Sequence, residues 1–169
     1  AYRAAADGQP VATQETGEVR IDLPVDAHIP VEYVEADRLR LEAYRKLASA
    51  TSDADVDEAL TELTDRYGEP PVETRRLAEI ARLRLRCRER GITEVTPAGT
   101  SIRLSPMLLV DSEQVRLSRL YSSASYRATT HTVTLPIPRT GGVGSPRLRD
   151  DELITYLSTF LTQVLPEPR

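Results

Sequence analysis

Cysteine occurs once in this chain, at Cys87, and lysine once, at Lys46. A lone cysteine excludes an internal disulfide framework and any zinc site built from several thiolates. It leaves the reducing cytosol as the natural compartment, so a cytoplasmic protein is expected. A lone lysine confines lysine-dependent chemistry to one position. No apolar run approaches the roughly 18 residues of a membrane span, and Ala1 to Pro10 lacks the apolar core of a signal peptide. A large excess of one sign of charge is missing as well. The formal net charge is −4, which advertises no nucleic-acid or membrane partner globally but can hide opposed local patches.

Hydrophobic residues make up 40% of the 169, enough for one folded domain with a real core. Ala1 to Gly17 is a short Tyr/Arg/Ala stretch followed by polar residues, broken by Gly8 and Pro10, and reads as a remnant of a preceding domain and its linker. From Glu18 to Pro30 the alternation of Val19, Ile21, Leu23 and Val25, interrupted by Pro24 and Pro30, predicts an edge or extended segment. Three helices should follow. The first spans about Glu35 to Ser49, with Leu39, Ala43 and Leu47 at spacing four. The second starts at Ser52 as its cap and stops at Gly68, burying Val56, Leu60, Leu63 and Tyr67. The third opens at Pro70-Pro71 and ends before Gly91, with Val72, Leu77, Ile80, Leu83 and Cys87 on its apolar side. Beyond Gly91 the helical period fails. Strands are predicted at Ser101 to Leu104 and Tyr126 to Leu135, with a helix from Ser112 to Tyr121 and a loop from Thr140 to Pro146. An amphipathic helix should close the chain from Asp150 to Leu165. The expected class is α+β: an N-terminal extended segment, a three-helix unit, a small β-rich portion and a C-terminal helix.

Catalytic and cofactor chemistry find no foothold. Lys46 precedes Leu47 without a glycine nearby, so there is no phosphate-binding loop. Asp57 to Leu60 imitates a helicase acidic motif but lies in a capped helix instead of following a buried strand. Gly141 to Gly144 lacks the entering strand and the following helix that a phosphate cradle needs. His28 and His131 stand far apart with no ligand-spaced neighbour. Cys87 lies on an apolar helix side, the position of an inert thiol. No catalytic, metal or cofactor-binding residue is assigned.

Two charged features remain. Asp55, Glu58, Glu62 and Asp65 recur at i, i+3, i+7 and i+10, lining one stripe of the second helix. Like charges at these spacings each cost on the order of 0.2–0.5 kcal/mol, and Asp65 also opposes the helix dipole. A cation should compensate, either from Arg66, Arg75 or Arg76 or from a partner, although a solvated helix face also carries such rows. Arg82, Arg84, Arg86, Arg88 and Arg90 crowd the end of the third helix. They allow a different function, a nucleic-acid clamp, but they spread around the helix without interleaved aromatic residues, and dipole capping explains them too. Salt-dependent DNA binding by the isolated domain would distinguish the clamp.

Several blocks carry a resemblance. Arg38-Leu39, Tyr44 to Ala50, Glu62 to Gly68 with Pro70-Pro71, Ile80 to Arg84 and Gly91-Ile92 occur in the order and at the spacings of the C-terminal domain of bacterial transcription-repair coupling factors, which this chain resembles. The likeness is close from about Glu18 to Val95 and weak afterwards, with residues 18–169 as the domain. The family implies a large DNA translocase, using ATP and Mg2+ in its motor, that removes stalled RNA polymerase and recruits UvrA. Its last domain is implied to be a non-catalytic, autoinhibitory module without cofactor, monomeric when isolated. The resemblance further implies that it docks on a UvrB-like N-terminal module of the same polypeptide and masks the UvrA-binding surface. Glu62 and Asp65 match the E-x-x-D-R-[FY]-G block that the resemblance implies for docking. Asp55 and Glu58 join them by helix geometry alone.

Overall fold

A computed structural model describes residues 19–168. The predicted N-terminal remnant lies outside them. The elements run in the order β1 (Arg20–Ile21), α1 (Asp37–Ala48), α2 (Asp53–Tyr67), α3 (Val72–Glu89), β2 (Glu94–Ala98), β3 (Ser101–Ser105), α4 (Asp111–Leu120), β4 (Ser125–Arg127), β5 (Thr132–Pro136) and α5 (Asp150–Val164). The mixed α+β class is as the sequence predicts. The chain divides into two compact units, one of residues Pro24–Leu85 and Leu148–Thr159, the other of residues 19–23, Arg86–Arg147 and 160–168.

The helical unit is built on short-range signals. Ser52 caps α2, its hydroxyl accepting the Asp55 amide at 3.1 Å, which satisfies one of the orphan amides of a helix start. Gly68 ends the helix at φ 90°, a backbone state that costs glycine little. Its ψ of −171° is extended, so the cap is not left-handed helical. Its carbonyl accepts the Tyr33 hydroxyl at 2.7 Å, and Tyr33 meets Tyr67 edge to face with centroids 5.7 Å apart. Leu47, Ala50, Val56, Ala59, Ala78, Ala81 and Leu85 form one buried cluster, and Ile29, Val34 and Leu63 a second. Helix α2 thus gives Val56, Ala59 and Leu63 to the core and keeps its carboxylates on the flanks. The edge or extended segment predicted from Glu18 to Pro30 pairs only at Arg20–Ile21, and exposure alternates from Val19 to His28. Period two survives there without a ladder.

The other unit carries a five-stranded sheet in the order β1-β2-β3-β5-β4, antiparallel except for β1 on β2. Val95, Ile102, Leu104, Val133 and Leu135 are buried and alternate with exposed or half-exposed residues, as one-sided burial demands. Two predictions need correction. Strand β2 was not foreseen, because Glu94, Thr96 and Pro97 leave only Val95 to signal burial; Pro97, which cannot donate to a ladder, is tolerated beyond the end of the β1 pairing. The single strand predicted from Tyr126 to Leu135 is two, joined by a turn in which His131 adopts φ 52°. His131 is therefore a turn residue. Tyr121 packs edge to face on Phe160 at 4.9 Å. The last carbonyls of α5 lack basic residues in their own turn. They are met instead by the guanidinium groups of Arg116, bonded to Val164 O at 2.8 Å, and Arg90, bonded to Leu165 O at 2.7 Å.

Phe160 is fully buried. Phe160→Ala is expected to lower the unfolding free energy by about 3–5 kcal/mol, read by urea denaturation; a loss below about 1 kcal/mol would contradict this packing.

Candidate functional site: the charged flanks of helix α2

The four carboxylates singled out in the sequence lie on α2 but do not share one fate. Asp55 folds back, its Oδ2 accepting the Thr51 amide at 2.9 Å and the Thr51 hydroxyl at 3.0 Å. The amide bond, then the hydroxyl bond, hold its carboxyl below the ordinary aspartate range. Glu62, half-buried, forms an ion pair with the Lys46 ammonium of α1 and approaches Arg66 Nε at 3.9 Å. The hydrogen bond to Lys46 lowers the Glu62 carboxyl and raises the Lys46 ammonium. Glu58 is exposed and interacts with Lys46 only through space. Asp65 is exposed, and its carboxylate has no hydrogen bond or ion pair among the described residues. Compensation is therefore divided along the row: Asp55 serves the helix start, Glu62 is countered by its own fold, and Glu58 and Asp65 are left over.

The opposite flank of α2 is closed. Arg82 of α3 gathers Asp57 at 2.7 Å, Glu79 at 3.1 Å and Asp53 at 3.6 Å. Burial alone would lower the pKa of its guanidinium, but the bonds to Asp57 and Glu79 outweigh that and raise it. Of the compensating cations nominated from sequence, only Arg66 reaches the row. Arg75 pairs with Glu69 at 3.1 Å, and Arg76 with Asp151 at 3.0 Å. The principal counter-ion, Lys46, went unrecognised, because a pair between neighbouring helices leaves no mark in the sequence of either.

The remaining arginines are used variously. Arg86 lies 3.4 Å from Glu89. Arg84 and Arg88 are half-buried. Arg90 is only 5% exposed, its charge spent on the end of α5 and on Glu89 at 3.2 Å. Cys87 is fully buried. His28 is exposed, with Nδ1 2.9 Å from Asp26. Gly141 to Gly144 form a loop in which the Ser145 hydroxyl accepts the Gly141 amide and donates to Gly142 O. Among the described residues no group of three or more His, Cys, Asp or Glu is placed to hold a metal. None of their helices is long and apolar enough to cross a membrane.

The class of protein that these features define is an α+β domain with a charged helix flank. Residues 23–115, more than half of the chain, match the TRCF domain family, and the chain belongs to that family. It is 58% identical over its whole length to the transcription-repair-coupling factors of Mycobacterium tuberculosis and Mycobacterium bovis, and spans 14% of each. The corresponding protein of Staphylococcus haemolyticus is 31% identical over 52% of this chain, which is 8% of that protein. A solved structure described as the C-terminal domain of transcription-repair coupling factor shares the fold, with a TM-score of 0.66 at 17% identity, covering 88% of this chain and 94% of that one. The family match stops at residue 115, whereas the mycobacterial likeness continues to the end.

The lowered carboxyl of Asp55 has a measurable consequence. A group with a depressed folded pKa stabilises fully above its unfolded value and loses that contribution as pH falls through the folded one. Asp55→Ala is therefore expected to make the decline of Tm shallower below about pH 4, followed by differential scanning fluorimetry. An unchanged acid limb would contradict the role assigned to the Thr51 bonds.

Proposed function

We propose that this chain is the non-catalytic, autoinhibitory domain of an ATP-dependent DNA translocase of transcription-coupled repair. It docks through the α2 flank on a UvrB-like N-terminal module of the same polypeptide and masks the surface that UvrA uses. RNA polymerase and DNA are engaged by the parent protein, in the cytoplasm. Residues 18–169 make up the regulatory domain in this reading. The observation that carries it is Asp65: exposed, without a cation among the described residues, and set in the last turn of α2, where the helix dipole disfavours it. Glu58 extends the negative surface along the same stripe, and Glu62 joins it once a partner's cation displaces or shares Lys46.

Arginine is the fitting counterpart, because its planar fork engages carboxylates in pairs. Each exposed ion pair contributes only about 0.2–1 kcal/mol, so the contact is weak between separate molecules. Within one polypeptide weak contact suffices. An effective concentration of about 1 mM against a dissociation constant of about 0.1 mM keeps about nine-tenths of the molecules closed. Rearrangement of the motor then opens the contact without having to overcome a tight interface.

Reversing Glu62→Arg together with Asp65→Arg is expected to abolish binding of this chain to the UvrB-like module in a calorimetric titration. In the full polypeptide it should raise UvrA binding. A reversed protein that still binds the module as the parent does contradicts the reading.

A further inference from the structure

Lys46 is the one lysine of the chain, and the fold places its ammonium on Glu62. The side chains of both are about half exposed, at 48% and 42%. Arg66 approaches the other carboxylate oxygen of Glu62 at 3.9 Å, and Glu58 acts on Lys46 through space. Glu62 is thus bracketed by two cations of its own chain and the local group of three carries a net positive charge, while Asp65 carries no counter-ion among the described residues. An approaching guanidinium meets attraction at Asp65 and competition at Glu62.

We propose that Lys46 is a built-in brake on docking: it competes with the partner's arginines for Glu62 and so limits how tightly the α2 flank is held. The proposal rests on the docking reading and assigns a regulator to that same surface. Lys46 can act this way because it belongs to α1, so the competition costs α2 none of its own packing. The pair is solvent-exposed and readily exchanged, since exposed ion pairs hold weakly. A contact tuned weak in this manner remains reversible when the motor pulls on it, whereas three free carboxylates would hold longer.

The test compares the chain with Lys46→Gln, Lys46→Arg and Asp65→Arg variants, each titrated against the UvrB-like module prepared as a separate polypeptide, at two salt concentrations. Circular dichroism first verifies that each variant is folded. Lys46→Gln should bind about two- to fivefold more tightly than the parent and lose affinity more steeply with salt, because one more carboxylate joins the contact. Lys46→Arg, which keeps the charge, should stay within about twofold of the parent. Unchanged or weaker binding by Lys46→Gln, with Asp65→Arg abolishing binding, overturns the brake and leaves the docking reading intact: Lys46 would then orient Glu62 for the partner or lie outside the contact. If Asp65→Arg binds as the parent does, the docking reading falls, and the brake with it.

Discussion

Helix α2 is fixed by what it buries. Once Val56, Ala59 and Leu63 enter the core, the 3.6-residue period sends its carboxylates to two flanks and leaves the chain no freedom to rearrange them. One flank meets Arg82, which absorbs Asp53, Asp57 and Glu79 together. The other meets Lys46, a single ammonium facing a row of acids. The inequality between these flanks decides which groups remain for another molecule.

The division of labour follows the helix from start to end. Acids of the first turn are favoured by the dipole and used at home, Asp55 on Thr51 and Asp53 on Arg82. Toward the C-terminus the same charge is unfavourable, and there the fold compensates incompletely: Glu62 is countered, Asp65 is not. A carboxylate placed at an unfavourable helix end with no internal return is a small destabilisation that an external cation would relieve. In the proposed docking, stability and partner contact fall to different residues of one helix, so the acids left at its C-terminal end are replaceable without disturbing the core. The arginines at the end of α3 serve the opposite need. Arg90, with Arg116, satisfies the final carbonyls of α5 from outside that helix.

The helical part of the fold was legible because its signals are local. Ser52, Gly68 and Pro70-Pro71 mark boundaries within one or two residues of those observed, and the residues expected inside α2 are buried or half-buried. The sheet was less so. Strand β2 carries a proline and one apolar signal, and the β4–β5 hairpin hides its turn in threonines that read equally well as strand. At the site, the sequence shows which carboxylates share a stripe, since that needs only helical geometry. It does not show which of them are free, because Lys46 is 16 residues from Glu62 and meets it only after α1 and α2 pack. Tertiary ion pairs are set by packing, and packing is the step that periodicity does not reach.

The proposed docking depends on leftover negative charge at Glu58 and Asp65 meeting a cationic surface, and ionic strength tests that directly. Affinity of the chain for the UvrB-like module, measured from about 0.05 M to about 0.5 M salt, should fall steeply as screening shortens the reach of exposed charges. The slope should flatten when Glu58 and Asp65 are both replaced by glutamine and asparagine. Binding that is indifferent to salt, or a slope unchanged by those replacements, would contradict it.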